Sequence, residues 1–120
     1  MFAAIYRFKL KPHQEAVYKQ YWHAIANYFI EHRGAIGSCL HKGEDALWLA
    51  YSRWPDKATR DAAWPGDEVP NEELPSEIRT IIGKMQALRL ENQDLEQYDE
   101  LCLEVVDDCL LQAIPEGLHS

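Results

Sequence analysis

No apolar run in the chain approaches the roughly 20 residues that a membrane-spanning helix needs, so no membrane partner is expected. Basic residues are scarce as well: 12 Lys and Arg stand against 20 Asp and Glu, a net charge of −8. Their longest cluster is Arg7, Lys9 and Lys11. Nucleic-acid binders carry a basic patch that neutralises phosphates, so no nucleic-acid partner is expected. The cysteines number three (Cys39, Cys102 and Cys109) and form no C-x-x-C pair. An odd count without paired spacing argues against a disulfide framework, and free thiols packed as small hydrophobes are the expectation. The five histidines, at positions 13, 23, 32, 41 and 119, show no metal-ligand spacing, so no metal site is expected. A phosphate loop, a dinucleotide fingerprint and a serine nucleophile elbow are all missing, which sets aside kinases, nucleotide-dependent dehydrogenases and α/β hydrolases. The first twelve residues, MFAAIYRFKLKP, lack the long apolar stretch of a signal peptide, and a cytoplasmic location is expected.

What is present is a well-patterned 120-residue chain, of a length that fits one domain spanning residues 1–120. The 47% hydrophobic fraction, with four Trp, six Tyr and three Phe, is enough for a packed core. Phe2–Leu10 alternates: Phe2, Ala4, Tyr6, Phe8 and Leu10 share an apolar face, and this predicts a strand. Pro12 ends it and suits the first turn of a helix. His13–Arg33 predicts a long amphipathic helix with Val17, Tyr21, Ala24, Ile25, Tyr28 and Phe29 as its apolar stripe, closed by Gly34. Ala35–Lys42 and Ala46–Trp54 predict two strands joined by a hairpin at Gly43-Glu44-Asp45. Asp56 caps a short helix over Asp56–Ala63. Trp64–Pro75, rich in proline and acid, predicts a surface loop. Ser76–Leu90 predicts a second long helix, and Leu101–Leu111 a final strand.

The order strand, helix, strand, strand, helix, strand is the ferredoxin-like split βαβ pattern, an α+β class with a four-stranded antiparallel sheet. Such a sheet carries helices on one face only. Yet the strand Leu47-Trp48-Leu49-Ala50-Tyr51 is apolar on both faces. The expectation is a homodimer in which a second copy covers the free face, a dimeric α+β barrel.

Three segments then carry a family resemblance: Tyr6-Arg7-Phe8-Lys9-Leu10-Lys11-Pro12, Gly37-Ser38-Cys39-Leu40-His41 and Ala50-Tyr51-Ser52-Arg53-Trp54-Pro55. Together they resemble the strand segments of the antibiotic biosynthesis monooxygenase-like family, over roughly residues 2–65. The resemblance implies a homodimer with a pocket between sheet and helices in each subunit. It also implies kinship with oxygenases that act on polyphenols without metal or flavin, and with haem-degrading enzymes. The haem-degrading branch uses an asparagine on the first strand, a tryptophan after the third and a histidine on the helix beyond. Here Tyr6 and Arg7 stand where the asparagine would be and Trp64 lies near the tryptophan position, but no histidine occurs between His41 and His119. The departure argues against haem degradation.

Candidate site residues follow from chemistry. Arg7 and Arg53 are candidate anion-stabilising groups, with Tyr51 expected on the same sheet face. His41 is a candidate base because imidazole titrates near neutrality, with His23 as the other. His23 and Asn27, four apart on one helix face, form a candidate pair for a phenol or quinone oxygen. Trp22, Trp54 and Trp64 are candidate aromatic walls for a flat ring. Each has a plain structural counterpart: a solvent-facing pair, a cross-sheet ion pair, a packed core ring. Two readings therefore stand side by side. One is a small monooxygenase-like enzyme with no cofactor of its own, acting on an aromatic or polyphenolic molecule. The other is a non-catalytic dimeric module that binds an apolar small molecule or a partner protein. The interior decides between them: converging polar groups in a cavity favour the enzyme, and a filled apolar interior favours the module.

Overall fold

A computed structural model describes residues 1–63 and 74–109. Strand β1 (Phe2–Lys9) leads into a 3₁₀ turn at Pro12–Gln14 and then helix α1 (Glu15–His32). The turn forms because Pro12 cannot extend the strand ladder. The buried Gln14 side chain accepts a bond from the Lys11 N–H at 3.1 Å. The expected helix start at His13 thus shifts to Glu15. The helix buries Tyr18, Ile25 and Phe29. It stops at Gly34, whose φ of 87° lies in the left-handed region that side chains avoid.

Strands β2 (Gly37–Lys42) and β3 (Leu47–Trp54) form the expected hairpin. Its turn places Asp45 and Ala46 at φ 55° and 62°, and the Leu47 N–H donates to the Glu44 carbonyl at 3.0 Å. Two positive φ angles match the right-handed twist of paired strands. Helix α2 (Lys57–Ala63) begins at the expected cap: Asp56 Oδ1 accepts from the Thr59 N–H at 2.7 Å and from Thr59 Oγ1 at 2.8 Å. These bonds to its charged form hold the Asp56 carboxyl below its ordinary range. Helix α3 (Ser76–Glu91) buries Ile78 and Met85 and packs on α1. Trp64 and the remainder of the expected loop up to residue 73 fall outside the described residues.

The last strand departs from expectation. Strand β4 covers Leu101–Glu104 rather than Leu101–Leu111. It pairs with Phe2–Ile5 of β1, and the ladder finishes where the Val105 N–H donates to the Met1 carbonyl at 2.8 Å. Alternation continued in the sequence, but a ladder needs a partner as well as a pattern. Residues 110 and 111 lie outside the described residues.

The sheet is antiparallel throughout, in the order β2-β3-β1-β4. This is the ferredoxin-like α+β fold. The register sorts its two faces. Phe2 opposes Trp54, Ala4 opposes Ser52, Tyr6 opposes Ala50 and Phe8 opposes Trp48, and this face packs under the helices. Trp54 meets Phe29 edge to face, with centroids 6.3 Å apart. Burying rings of this size contributes about 1.5–3 kcal/mol each. The opposite face carries Ala3, Ile5 and Arg7 against Arg53, Tyr51 and Leu49. On β4, Leu101 and Leu103 extend it and are 38% and 45% exposed. The three cysteines are exposed rather than packed. Cys39 opposes Tyr51 on the helix-free face, and Cys102 sits on the short edge strand, so neither reaches the core.

Candidate functional site

Between the sheet and the helices lies a cavity of about 340 Å³. That is within the range of small-molecule sites. Its floor is the helix-side face of β1 and β3: Tyr6, Phe8, Ala50, Ser52 and Trp54. Helix α1 supplies Tyr18, Trp22, Ile25 and Phe29 as the opposite wall. They recur at helical spacing, so one stripe of α1 faces one stripe of alternating strand residues. Phe8 and Tyr18 stack at 4.8 Å between centroids, tilted by 41°. The Trp54 indole N–H donates to Ser52 Oγ at 3.1 Å, which lets the ring bury without a stranded donor.

Polar groups converge on this aromatic space. Arg60, on α2, donates from Nη2 to the Tyr6 hydroxyl at 3.1 Å and pairs with Glu100. Accepting that bond leaves the Tyr6 O–H proton to donate elsewhere. Burial pushes the Tyr6 phenol up from its ordinary value, and the Arg60 charge opposes the rise. Burial likewise pushes Tyr18 up, with the Arg89 guanidinium opposing. Both phenols are therefore neutral donors at physiological pH, each beside a guanidinium. Asn92 Nδ2 donates to the Lys9 carbonyl at 3.3 Å, which fixes the orientation of the amide. Asn92 Oδ1 then stays buried with no donor among the described residues.

Three of the expected residues border this space. Trp22 and Trp54 line it. Arg7 borders it where β1 runs past the end of β4, and its guanidinium lies 5.1 Å from the centre of the Tyr98 ring. The others lie elsewhere. His23 and Asn27 are exposed, and their side chains hydrogen-bond to each other at 3.0 Å. His41 and Tyr51 sit on the helix-free face of the sheet, opposite Leu49 and Cys39. Arg53 shares that face, as expected of it and Tyr51. It is buried, paired with Asp108, and lies 2.7 Å from Met1 Sδ. Trp64 is outside the described residues. Among the described residues no three His, Cys, Asp or Glu side chains gather as a metal site, and no helix is long and apolar enough to cross a membrane.

Tyr18, Arg60, Arg89, Asn92 and Glu100 are members of the site that the sequence did not single out. Tyr18 was legible in principle, since it shares a helical stripe with Trp22, Ile25 and Phe29. Arg60 was not: its partners Tyr6 and Glu100 stand 54 and 40 residues away.

No protein-family model matches the chain, and no curated protein does. Solved structures do match. Rv0793 from Mycobacterium tuberculosis superposes with a TM-score of 0.64 at 13% identity, over 91% of this chain and 98% of that one. A variant of SnoaB, a cofactor-independent oxygenase from Streptomyces nogalater, gives 0.63 at 13% identity, over 90% and 95%. An antibiotic biosynthesis monooxygenase gives 0.58 at 12% identity, over 89% and 100%. Identities this low with coverage this full establish a shared backbone plan. The chain has the ferredoxin-like α+β fold of the antibiotic biosynthesis monooxygenase-like proteins.

Proposed function

We propose that this chain is a small oxygenase that takes an electron-rich hydroxyarene into the cavity and oxidises it without a cofactor of its own. The observation that carries this reading is the Tyr6–Arg60–Glu100 chain of polar groups set into a wall rich in aromatic rings. A filled apolar interior would have favoured a binding module. The similarity to a cofactor-independent oxygenase supports the same reading, although a shared fold alone does not carry function.

In this reading the substrate is the reductant. Losing its hydroxyl proton makes it a phenolate, which passes electrons to O₂. One oxygen atom forms a carbonyl at a ring C–H para to the hydroxyl, giving a quinone. The second leaves as water with the two hydrogens lost. The Tyr6 O–H and the Arg60 guanidinium stabilise the oxyanion as it forms. We assign Glu100 as the proton acceptor, in place of His23 or His41, which lie away from the cavity. Trp22 and Trp54 hold the ring between flat walls and keep water out.

The reading includes a second copy of the chain on the helix-free face, where Ile5, Leu49, Tyr51, Leu101 and Leu103 form an apolar surface. Light scattering on the purified protein tests it; a monomer at all concentrations would remove this element.

The deciding experiment is oxygen uptake with 1-naphthol, read alongside naphthoquinone absorbance, before and after chelation and dialysis. The expected result is turnover above the uncatalysed background that chelation does not remove. If 1-naphthol binds and oxygen uptake stays at background, the enzyme reading fails and the binding module replaces it.

A further inference from the structure

The cavity reverses the charge of the protein around it. The chain as a whole has 12 bases and 20 acids. The cavity is bordered by Arg7, Arg60 and Arg89 against Glu96 and Glu100; Lys9 meets it through its backbone, the register putting its side chain on the helix-free face. The two acids are already engaged. Glu100 pairs with Arg60, and Glu96 Oε2 accepts from the Tyr98 hydroxyl at 2.7 Å. Arg89, by contrast, faces no carboxylate among the described residues. It is exposed at the rim, where the last turn of α3 meets the Tyr18 hydroxyl. Asn92 follows it one turn on, with the buried Oδ1 that lacks a donor. A purely apolar ligand would leave the Arg89 charge without a counter-charge; Asn92 Oδ1, an acceptor, takes a donor instead, such as a hydroxyl on the ligand's ring.

We propose that the cavity takes an aromatic anion, its carboxylate held by Arg89 and Tyr18 while its ring lies against Trp22 and Trp54. The proposal rests on the small-molecule reading of this cavity and adds the charge of the ligand. A guanidinium offers two parallel donors to a carboxylate, which a lysine cannot match. The neutral Tyr18 phenol beside it can turn its O–H toward the same oxygen. The net negative charge of the surface repels anions in general, so the local positive field at the rim selects where an anion enters.

The test compares two flat probes of nearly equal shape, 2-naphthoate and 2-naphthamide, by calorimetric titration at neutral pH. The expected result is naphthoate binding at least tenfold tighter than naphthamide, with the preference weakening as salt is raised. In Arg89→Gln the naphthoate affinity should fall about tenfold and the naphthamide affinity should change less than twofold. Equal affinities in the parent protein, or a preference that survives Arg89→Gln, overturn the proposal and leave the cavity reading standing. Binding of neither probe overturns both. Circular dichroism of Arg89→Gln shows that it is folded, and Arg89→Lys, which keeps the charge and loses the fork, should fall between the two.

Discussion

The Tyr6 hydroxyl accepts a hydrogen bond from Arg60 Nη2 at 3.1 Å, and the same nitrogen is held by Glu100. A residue of the central strand, one of the short helix and one from the approach to the last strand thus meet on the cavity wall. Tyr6→Phe removes one oxygen and leaves the ring in place, so packing is kept. The expected outcome is a melting temperature within a few degrees of the parent. Turnover of 1-naphthol should fall by about 100-fold, the scale of losing one oxyanion donor. Unchanged turnover would remove Tyr6 from the mechanism.

The buried Tyr18 phenol and the half-buried Tyr6 phenol make stability depend on alkaline pH. In Tyr18, burial raises the pKa above the ordinary value of 10.0, and Arg89 opposes it. The unfolded chain therefore releases this proton first as pH rises past about 10, while the folded chain still holds it. The contribution is fully present below pH 10 and is lost as pH climbs toward the folded value. Urea melts at pH 8, 9.5 and 10.5 should show falling stability only in the last interval. Tyr18→Phe should flatten that fall, and an unchanged slope would assign it to other groups.

Two glycines should respond to alanine with opposite signs. At Gly34 the backbone has φ 87°, and a Cβ would sit 2.9 Å from Thr59 Cγ2. Strain and a clash act together, so Gly34→Ala should destabilise by about 1–2 kcal/mol. Gly83 lies inside α3, and a Cβ there meets nothing within 4 Å. Gly83→Ala should stabilise by about 0.5–1 kcal/mol through helix propensity. Thermal melts of the two variants check both signs.

The architecture was readable because it depends on local pattern: alternation in Phe2–Leu10, helical spacing around Ile25 and Phe29, Gly34 as a stop, Asp56 as a cap. The length of β4 was not, since a strand's extent is set by its pairing with a distant segment, here Phe2–Ile5, and not by its own alternation. The site was half readable. Trp22 and Trp54 declare themselves as aromatic walls. His23 and Asn27 also looked poised for a ligand, and they satisfy each other instead. Helix α1 is aromatic on more than one side, so the stripe through Val17 and Tyr21 competed with the one through Tyr18 and Trp22. The arginines are the hardest to read: a guanidinium on a long stem acts where its partners are, and Arg60 finds its partners on distant segments.

Arg53 shows the same ambiguity resolved toward structure. Its side chain is 7% exposed and pairs with Asp108, itself 17% exposed, on the helix-free side of the sheet. Met1 Sδ lies 2.7 Å from the same nitrogen. Together these contacts pin the chain after β4 back onto β3. A buried charge that loses its partner keeps its desolvation cost. Asp108→Ala should therefore destabilise by about 1–3 kcal/mol. In Arg53→Met the apolar replacement fills similar volume and leaves Asp108 closer to water, so the loss should be smaller. The double variant should cost less than the sum of the singles, with a coupling of about 1 kcal/mol or more. A thermodynamic cycle from urea melts of the four proteins measures it. Strict additivity would mean that Asp108 and Arg53 are neighbours without an energetic bond, and the chain after β4 would then owe its place to other contacts, the Val105 N–H bond to the Met1 carbonyl among them.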